Sequence, residues 1–216
     1  MNTQAKIQDQ GALRASIAFA LVILLGMGLL YSLAGTAIGR SLFPQQATGS
    51  IVHRDGRQVG SSLVGQPFGD GRYFQPRPSA AGYNPMSAAG SNQARTNPDL
   101  RKRIGEAAAT VAARDGIAVE DVPADLVTQS GGGLDPDISP AGAQVQIARV
   151  ATARNLAPQQ VAELVAMHTQ APQFGVLGES RVNVLELNLA LDATELNDTE
   201  SIVIPAQAGI HGRRSQ

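Results

Sequence analysis

Three polar stretches hold the residue types that could bind or transform a ligand. The first runs from Arg77-Pro78-Ser79 through Tyr83 to Ser91-Asn92, and offers a guanidinium, hydroxyls and an amide on a loop. The prolines fix that loop, and its serines and asparagines can equally satisfy their own backbone. The second is Ser130-Gly131-Gly132-Gly133-Leu134-Asp135-Pro136-Asp137, shortly before a helix start at Ser139-Pro140. A glycine run in that position can present backbone N–H groups to an anion. Asp135 and Asp137 would repel a phosphate, however, and a turn followed by an N-cap accounts for the same residues. Two carboxylates two positions apart are too few for a calcium loop. The third stretch pairs Gln146 with Arg149, one helical turn apart, where a solvated helix face explains the pair equally well.

Several kinds of chemistry are excluded by what the chain lacks. There is no cysteine, hence no thiolate metal site, disulfide or cysteine nucleophile. The phosphate-loop pattern G-x-x-x-x-G-K-[ST] and the nucleophile elbow G-x-S-x-G are missing. Lys6 and Lys102 are the only lysines, and His53, His168 and His211 have no metal-ligand spacing. A serine–histidine–carboxylate triad would have to be assembled from distant segments, and His211 lies in the tail. With 17 Lys+Arg against 18 Asp+Glu and a net charge of -1, the chain has no field for gripping nucleic acid. These counts point to a domain without a catalytic apparatus of its own.

The elements that must position those stretches begin with an apolar segment. No charged residue occurs from Ala15 to Gly39, between Arg14 and Arg40. As a helix this segment reaches roughly 37 Å, enough to cross a hydrocarbon core of about 30 Å with some tilt. A cleaved signal peptide has a shorter apolar region, so a retained anchor is expected. Gly35 and Gly39 form a G-x-x-x-G, with Ser32 and Gly28 one and two turns earlier. Small residues of this kind let another helix approach closely in lipid. Basic residues flank both ends, so charge does not fix the orientation.

Beyond the span, Ile51 to Leu63 reads as a hairpin turning at Asp55-Gly56. A Gly- and Pro-rich stretch from Gly65 to Pro98 carries Tyr73, Phe74 and Tyr83, and such aromatics in a chain only 4% aromatic indicate a packed loop. Helices are expected from Pro98 to Arg114, from Ser139-Pro140 to about Asn155, and from Pro158 to Pro172. Alternation of Leu185, Leu187, Leu189 and Leu191 with Glu186 and Asn188 reads as a strand. The fold class is therefore α+β: a short head (residues 1–14), a transmembrane helix (15–39), one small α+β domain (40–193) and a flexible tail (194–216).

Two groups of strings go further. Gly65-Gln66-Pro67-Phe68, Tyr73-Phe74-Gln75-Pro76-Arg77-Pro78-Ser79-Ala80 and Gly90-Ser91-Asn92 form one group. Pro123-Ala124-Asp125-Leu126-Val127-Thr128 with the glycine run, Arg149-Val150-Ala151 with Ala153-Arg154, and Arg181 to Asn188 form the other. Together, from the span to about Asp192, they resemble the KdpC family, the small subunits of the bacterial high-affinity potassium-transporting ATPase. The family's Ser-Gly-Ser-Gly-Leu-Asp reads Ser-Gly-Gly-Gly-Leu-Asp here, and the tail beyond Asp192 is unlike the family.

That resemblance implies a four-subunit complex in the bacterial inner membrane. A channel-like subunit binds potassium, a P-type ATPase subunit hydrolyses ATP, and a small single-span subunit accompanies them. This chain would be the accessory subunit, with its C-terminal domain outside the cytoplasm. ATP and potassium would be handled by the complex, and neither is expected to bind this chain as a cofactor. Arg77, Pro78, Ser79, Tyr83, Ser91 and Asn92 would form an interaction surface. A catalytic-chaperone role proposed for the family, raising the ATPase subunit's affinity for ATP, maps onto Ser130, Gly131, Gly133, Leu134, Asp135, Gln146 and Arg149. Cytoplasmic ATP and an extracytoplasmic domain cannot meet, so the topology is favoured over direct nucleotide contact. The competing reading is a free-standing anchored hydrolase or ligand-binding domain outside the membrane.

Overall fold

The computed structural model describes residues 11–202, with side chains as far as Thr194. The chain divides into two units, Met1–Ile51 and Val52–Gln216. The first is dominated by helix α1, Ala12–Leu42, a 31-residue apolar helix with none of its apolar window buried. At 1.5 Å per residue it is about 46 Å long, so it exceeds the expected 15–39 segment by a turn or less at each end and takes in both flanking arginines. The middle, Leu24–Leu30, is wound as a π-helix and contains Gly26 and Gly28. Glycine eases such a widening because it adds no side chain to the enlarged turn. A short helix α2, Pro44–Ala47, follows.

In the second unit, β1 (Ile51–Arg54) and β2 (Arg57–Ser61) form the expected hairpin. Asp55 and Gly56 take φ of 50° and 74°, the left-handed pair that a tight two-residue turn requires. Helix α3, Pro98–Asp115, starts on the Asn97 side chain, which accepts from the Asp99 N–H, and stops at left-handed Gly116. Both caps were legible from residue type. The next helix is broken in two, α4 (Pro140–Gln144) and α5 (Ile147–Arg154), with Val145 and Gln146 between them. Helix α6, Pro158–Met167, ends before the proline expected to stop it. That leaves room for β4, Thr169–Gln170, which pairs with the central strand β5, Arg181–Asn183; β3, Asp137–Ile138, lies on the other side of β5. The three strands are antiparallel, with Val182 opposite Ile138 and Thr169.

The strand expected over Arg181 to Leu191 is corrected by the structure: only its first three residues are extended, and Val184–Ile202 is helix α7. The physical reason is local. The Asn183 side chain accepts from the Glu186 N–H at 3.1 Å and caps the helix. Val184, Leu187, Asn188 and Leu191, all buried, then recur at helical rather than alternate spacing. Leucine and alanine favour the helix once it has started. The helix continues past Thr194 to Ile202, through residues that show no sequence pattern. The rest of the expected tail, with His211, and the first ten residues of the head lie outside the described residues. The core gathers Phe74, Ile138, Ile147, Val150, Val161, Val182, Leu187 and Leu191 from the long loop, the sheet and the helices.

Candidate functional site

Phe74, fully buried, anchors the loop to the core, and its flanking backbone is held by side-chain amides from two helices. On α7, Asn188 Oδ1 accepts from the Phe74 N–H at 2.8 Å and Nδ2 donates to Phe74 O at 3.0 Å. At the α4–α5 break, Gln146 Oε1 accepts from the Gln75 N–H at 2.8 Å, and Nε2 donates to Gln75 O at 3.2 Å and Gly142 O at 3.0 Å. The two amides do for this segment what a neighbouring strand would do, satisfying backbone groups that burial removes from water.

Arginines complete the clamp. Arg149 donates from Nη2 to Gln146 Oε1 at 2.7 Å, from Nη1 to Tyr73 O at 3.0 Å and to Gly71 O, and from Nε to Asp115 Oδ1 at 2.6 Å. The Asp115 side chain is fully buried and is also bound by Arg114 at 2.6 Å. At the end of the same helix, Arg154 donates to Arg72 O at 2.8 Å and to Asp192 Oδ1 at 2.8 Å, with its guanidinium 4.7 Å from the Tyr73 ring centre. Asp192 receives Arg54 at 2.6 Å and the Tyr73 hydroxyl at 3.3 Å as well. Gln146 and Arg149 therefore face inward, so the solvated-face alternative does not describe them. Asp115, Arg154, Asn188 and Asp192 were not singled out from sequence; an Asn and an Asp four apart beside buried leucines were the available signal.

Burial opposes ionisation of Asp192, but hydrogen bonds from Arg154, Arg54 and Tyr73 outweigh it and hold the carboxyl below its ordinary pKa. A depressed folded-state pKa contributes stability above the unfolded value, and that stability is lost as pH falls through the folded value. Asp192→Asn is accordingly expected to destabilise the chain at neutral pH. The gap between variant and unsubstituted chain should close on acidification below the usual carboxylate range, as followed by urea unfolding across pH. A constant gap would rule out this contribution.

The first and second polar stretches meet. Ser79 Oγ donates to Gly133 O at 2.6 Å and accepts from the Tyr83 N–H at 2.9 Å. Tyr83 donates to Arg77 O at 2.8 Å, and burial pushes its phenol above the ordinary pKa. Arg77 Nη1 binds Asp135 Oδ2 at 2.7 Å, and the Ser130 N–H donates to Pro78 O at 3.3 Å. Ser130 is buried, whereas Leu134 is half-buried and Gly131 is exposed. Pro78 is half-buried, and Ser91 and Asn92 are exposed; Ser91 Oγ lies 3.5 Å from Arg103 and Asn92 takes φ 51°.

Close backbone approach explains Gly90 and Gly133. A Cβ on Gly90 would lie 2.6 Å from Gly131 O, and one on Gly133, at φ 71°, 2.8 Å from Ala89 O. Gly132 faces open space, so the serine that the family motif carries there fits without displacement. Gly90→Ala is expected to cost about 1–3 kcal/mol. Gly132→Ser should stay within about 0.5 kcal/mol, as denaturant titration of both variants would show.

Beside this junction is a cleft of about 380 Å³ lined by Arg77, Asp125, Asp135, Asp137, Ser139 and Arg181, among others. Asp125 accepts from the Ser139 N–H at 2.7 Å and hydroxyl at 3.0 Å. Burial, then the charge of Asp135, raises the Asp137 pKa against the pull of Arg181. No three of these groups converge as metal ligands among the described residues. Elsewhere, His53 is exposed on β1 and His168 Nδ1 sits 2.9 Å from Leu164 O. On α1, Ser32, Gly35 and Gly39 share regular helix while Gly28 lies in the π turn.

An α+β domain whose charged side chains brace its own loops, following one helix long and apolar enough to cross a membrane, points to a membrane-associated protein. The sequence profile of the family described as "KdpC: K+-transporting ATPase, c chain" matches residues 13–193. The chain belongs to that family, whose members are one subunit of a multi-subunit potassium-transporting ATPase. It is 61% identical over 192 residues to the potassium-transporting ATPase KdpC subunit of Xanthomonas campestris pv. campestris (strain B100), covering 89% of this chain and 92% of that one. Proteins of the same name from Variovorax paradoxus (strain S110) and Shewanella putrefaciens (strain CN-32 / ATCC BAA-453) are 52% and 49% identical over 183 and 180 residues. Each alignment covers 83% of this chain, and 94% and 88% of the respective relative.

Proposed function

We propose that this chain is a non-catalytic accessory subunit of an ATP-driven potassium uptake complex, anchored by α1 with its folded domain outside the cytoplasm. Its partners are a channel-like potassium-binding subunit, the P-type ATPase subunit and a small single-span subunit. Its work is to steady their assembly at the outer face. The carrying observation is that Asp115, Gln146 and Arg149 are committed to the backbone and side chains of the domain itself. A nucleotide-binding surface needs donors left over for phosphate, and Gln146 and Arg149 spend theirs on Gln75, Tyr73 and Asp115. That supports a rigid scaffold over direct contact with ATP, and small residues on the lipid-facing helix suit packing against other spans.

The orientation is tested by fusing to Gln216 a reporter enzyme that matures only outside the cytoplasm. Activity of this fusion is expected; activity only from a reporter restricted to the cytoplasm would overturn the topology. Titrating ATP into the full chain in detergent is expected to give no saturable binding at millimolar concentration, and saturable binding would restore the chaperone reading.

A further inference from the structure

Between β4 and β5 the chain makes a tight apolar turn that covers nothing in its own domain. Phe174 is 84% exposed, Val176 80% and Leu177 57%. The turn is nonetheless shaped. Gln173 and Leu177 exchange backbone hydrogen bonds at 2.8 and 2.9 Å, and the Gly175 N–H donates to Pro172 O at 2.9 Å. Phe174 itself takes φ 56°, a left-handed conformation that bulky residues rarely adopt, with Gly175 following at 77°. A bulky apolar side chain held outward in that conformation is displayed, not merely left over. Exposed apolar surface on an ordered element marks an interaction site.

We propose that this turn is a docking knob that seats in an apolar recess on the extramembrane face of a larger, membrane-embedded subunit of the same complex. The inference rests on the accessory-subunit reading above and deepens it. Charge argues against a lipid surface: Thr169 to Gly178 carries no charged residue, and the first one after it is Glu179. Surface attachment to anionic lipid relies on Lys and Arg beside the apolar groups. Size argues against a second copy held through this turn alone, because three side chains on a convex tip fall far short of the roughly 800 Å² per partner that a stable interface buries, whereas a subunit of the same complex is also held elsewhere. A small convex tip needs a concave partner, and its pre-formed turn limits the ordering lost on binding.

The test uses the full chain co-expressed with the other subunits of its complex. A photoreactive benzoylphenylalanine replaces Phe174, with the exposed helix position Lys102 as control. Irradiation is expected to give a cross-link to a larger protein subunit at least about tenfold above the control, since close apposition governs capture. A product at twice the chain's own mass, a lipid adduct alone, or no product above control would overturn the proposal. In parallel, the Phe174→Asp, Val176→Asp double variant should co-purify at least about tenfold less, a loss of hot-spot size. Its melting should match that of the unsubstituted chain; undiminished co-purification overturns the knob. An unsubstituted chain that purifies alone would remove the accessory reading and the knob with it. Intact co-purification without a cross-link removes only the knob.

Discussion

Replacing Arg149 with alanine is expected to destabilise the domain by about 3 kcal/mol, and the melting temperature should fall by roughly 6–12 °C. The expectation follows from what is left behind. Asp115 has no exposed side-chain surface, and Arg149, itself only 12% exposed, supplies one of the two guanidinium groups that compensate it. Breaking a buried pair costs more than the pair contributes, because the remaining charge stays in a poorly solvated place. The same substitution removes the donors to Gly71 O and Tyr73 O and frees the loop they hold. Arg149→Lys should recover only part of the loss, since an ammonium cannot reach a carboxylate, an amide and two carbonyls in one planar arrangement. Far-UV circular dichroism during urea titration of the full chain in detergent would measure both variants. Unchanged stability in Arg149→Ala would mean that the Asp115 contact adds nothing. Hydrogen exchange should quicken at residues 71–75 before it does in α3.

Local features were readable where residue type alone decides geometry. Asp55-Gly56, Asn97-Pro98, Gly116 and Ser139-Pro140 each state a turn or cap chemically, and each stands where sequence placed it. The uncharged span needed only counting. Alternation was less secure, because leucines at 185, 187, 189 and 191 fit a period of two while 184, 187, 188 and 191 fit a helix. The Asn183 cap decided between them, and a cap acts through hydrogen-bond geometry rather than hydropathy. The break in the helix after Ser139 was invisible for a related reason. The Gln146 side chain bonds back to Gly142 O and to a backbone group about seventy positions earlier, and such a distant partner has no local signature.

The same reasoning explains what could be seen of the site. Each polar stretch was visible as composition, and the resemblance grouped them. Their pairing was not visible: that Ser79 meets Gly133, or that Arg77 meets Asp135, depends on the loop crossing the glycine run. Gly133 there serves close approach. A Cβ at Gly65 would come within 2.5 Å of Asp135 O, the same requirement seen at Gly90 and Gly133. Three glycines thus share one physical demand, backbone against backbone without an intervening side chain. The long loop is ordered by polar contacts to helices, with Phe74 fully buried as its apolar anchor and Phe68 packed partly buried against the same core.

A clamp made of two amides on adjacent residues has a consequence for additivity. Gln146→Ala is expected to cost about 2–4 kcal/mol, because Gln75 N, Gln75 O and Gly142 O lose their partner and Arg149 loses an acceptor. Asn188→Ala should cost about 2–3 kcal/mol by stranding Phe74 N and O in the core. The two effects should not sum. Phe74 and Gln75 are consecutive, so releasing one peptide group lets the segment move toward water and lowers what the second amide can still hold. The double variant should therefore be less damaged than the sum by about 1–2 kcal/mol, the range for residues sharing one network. Urea unfolding of the four proteins in the cycle supplies the number. Additivity within about 0.3–0.5 kcal/mol would mean that each amide acts alone and that the loop is held at independent points.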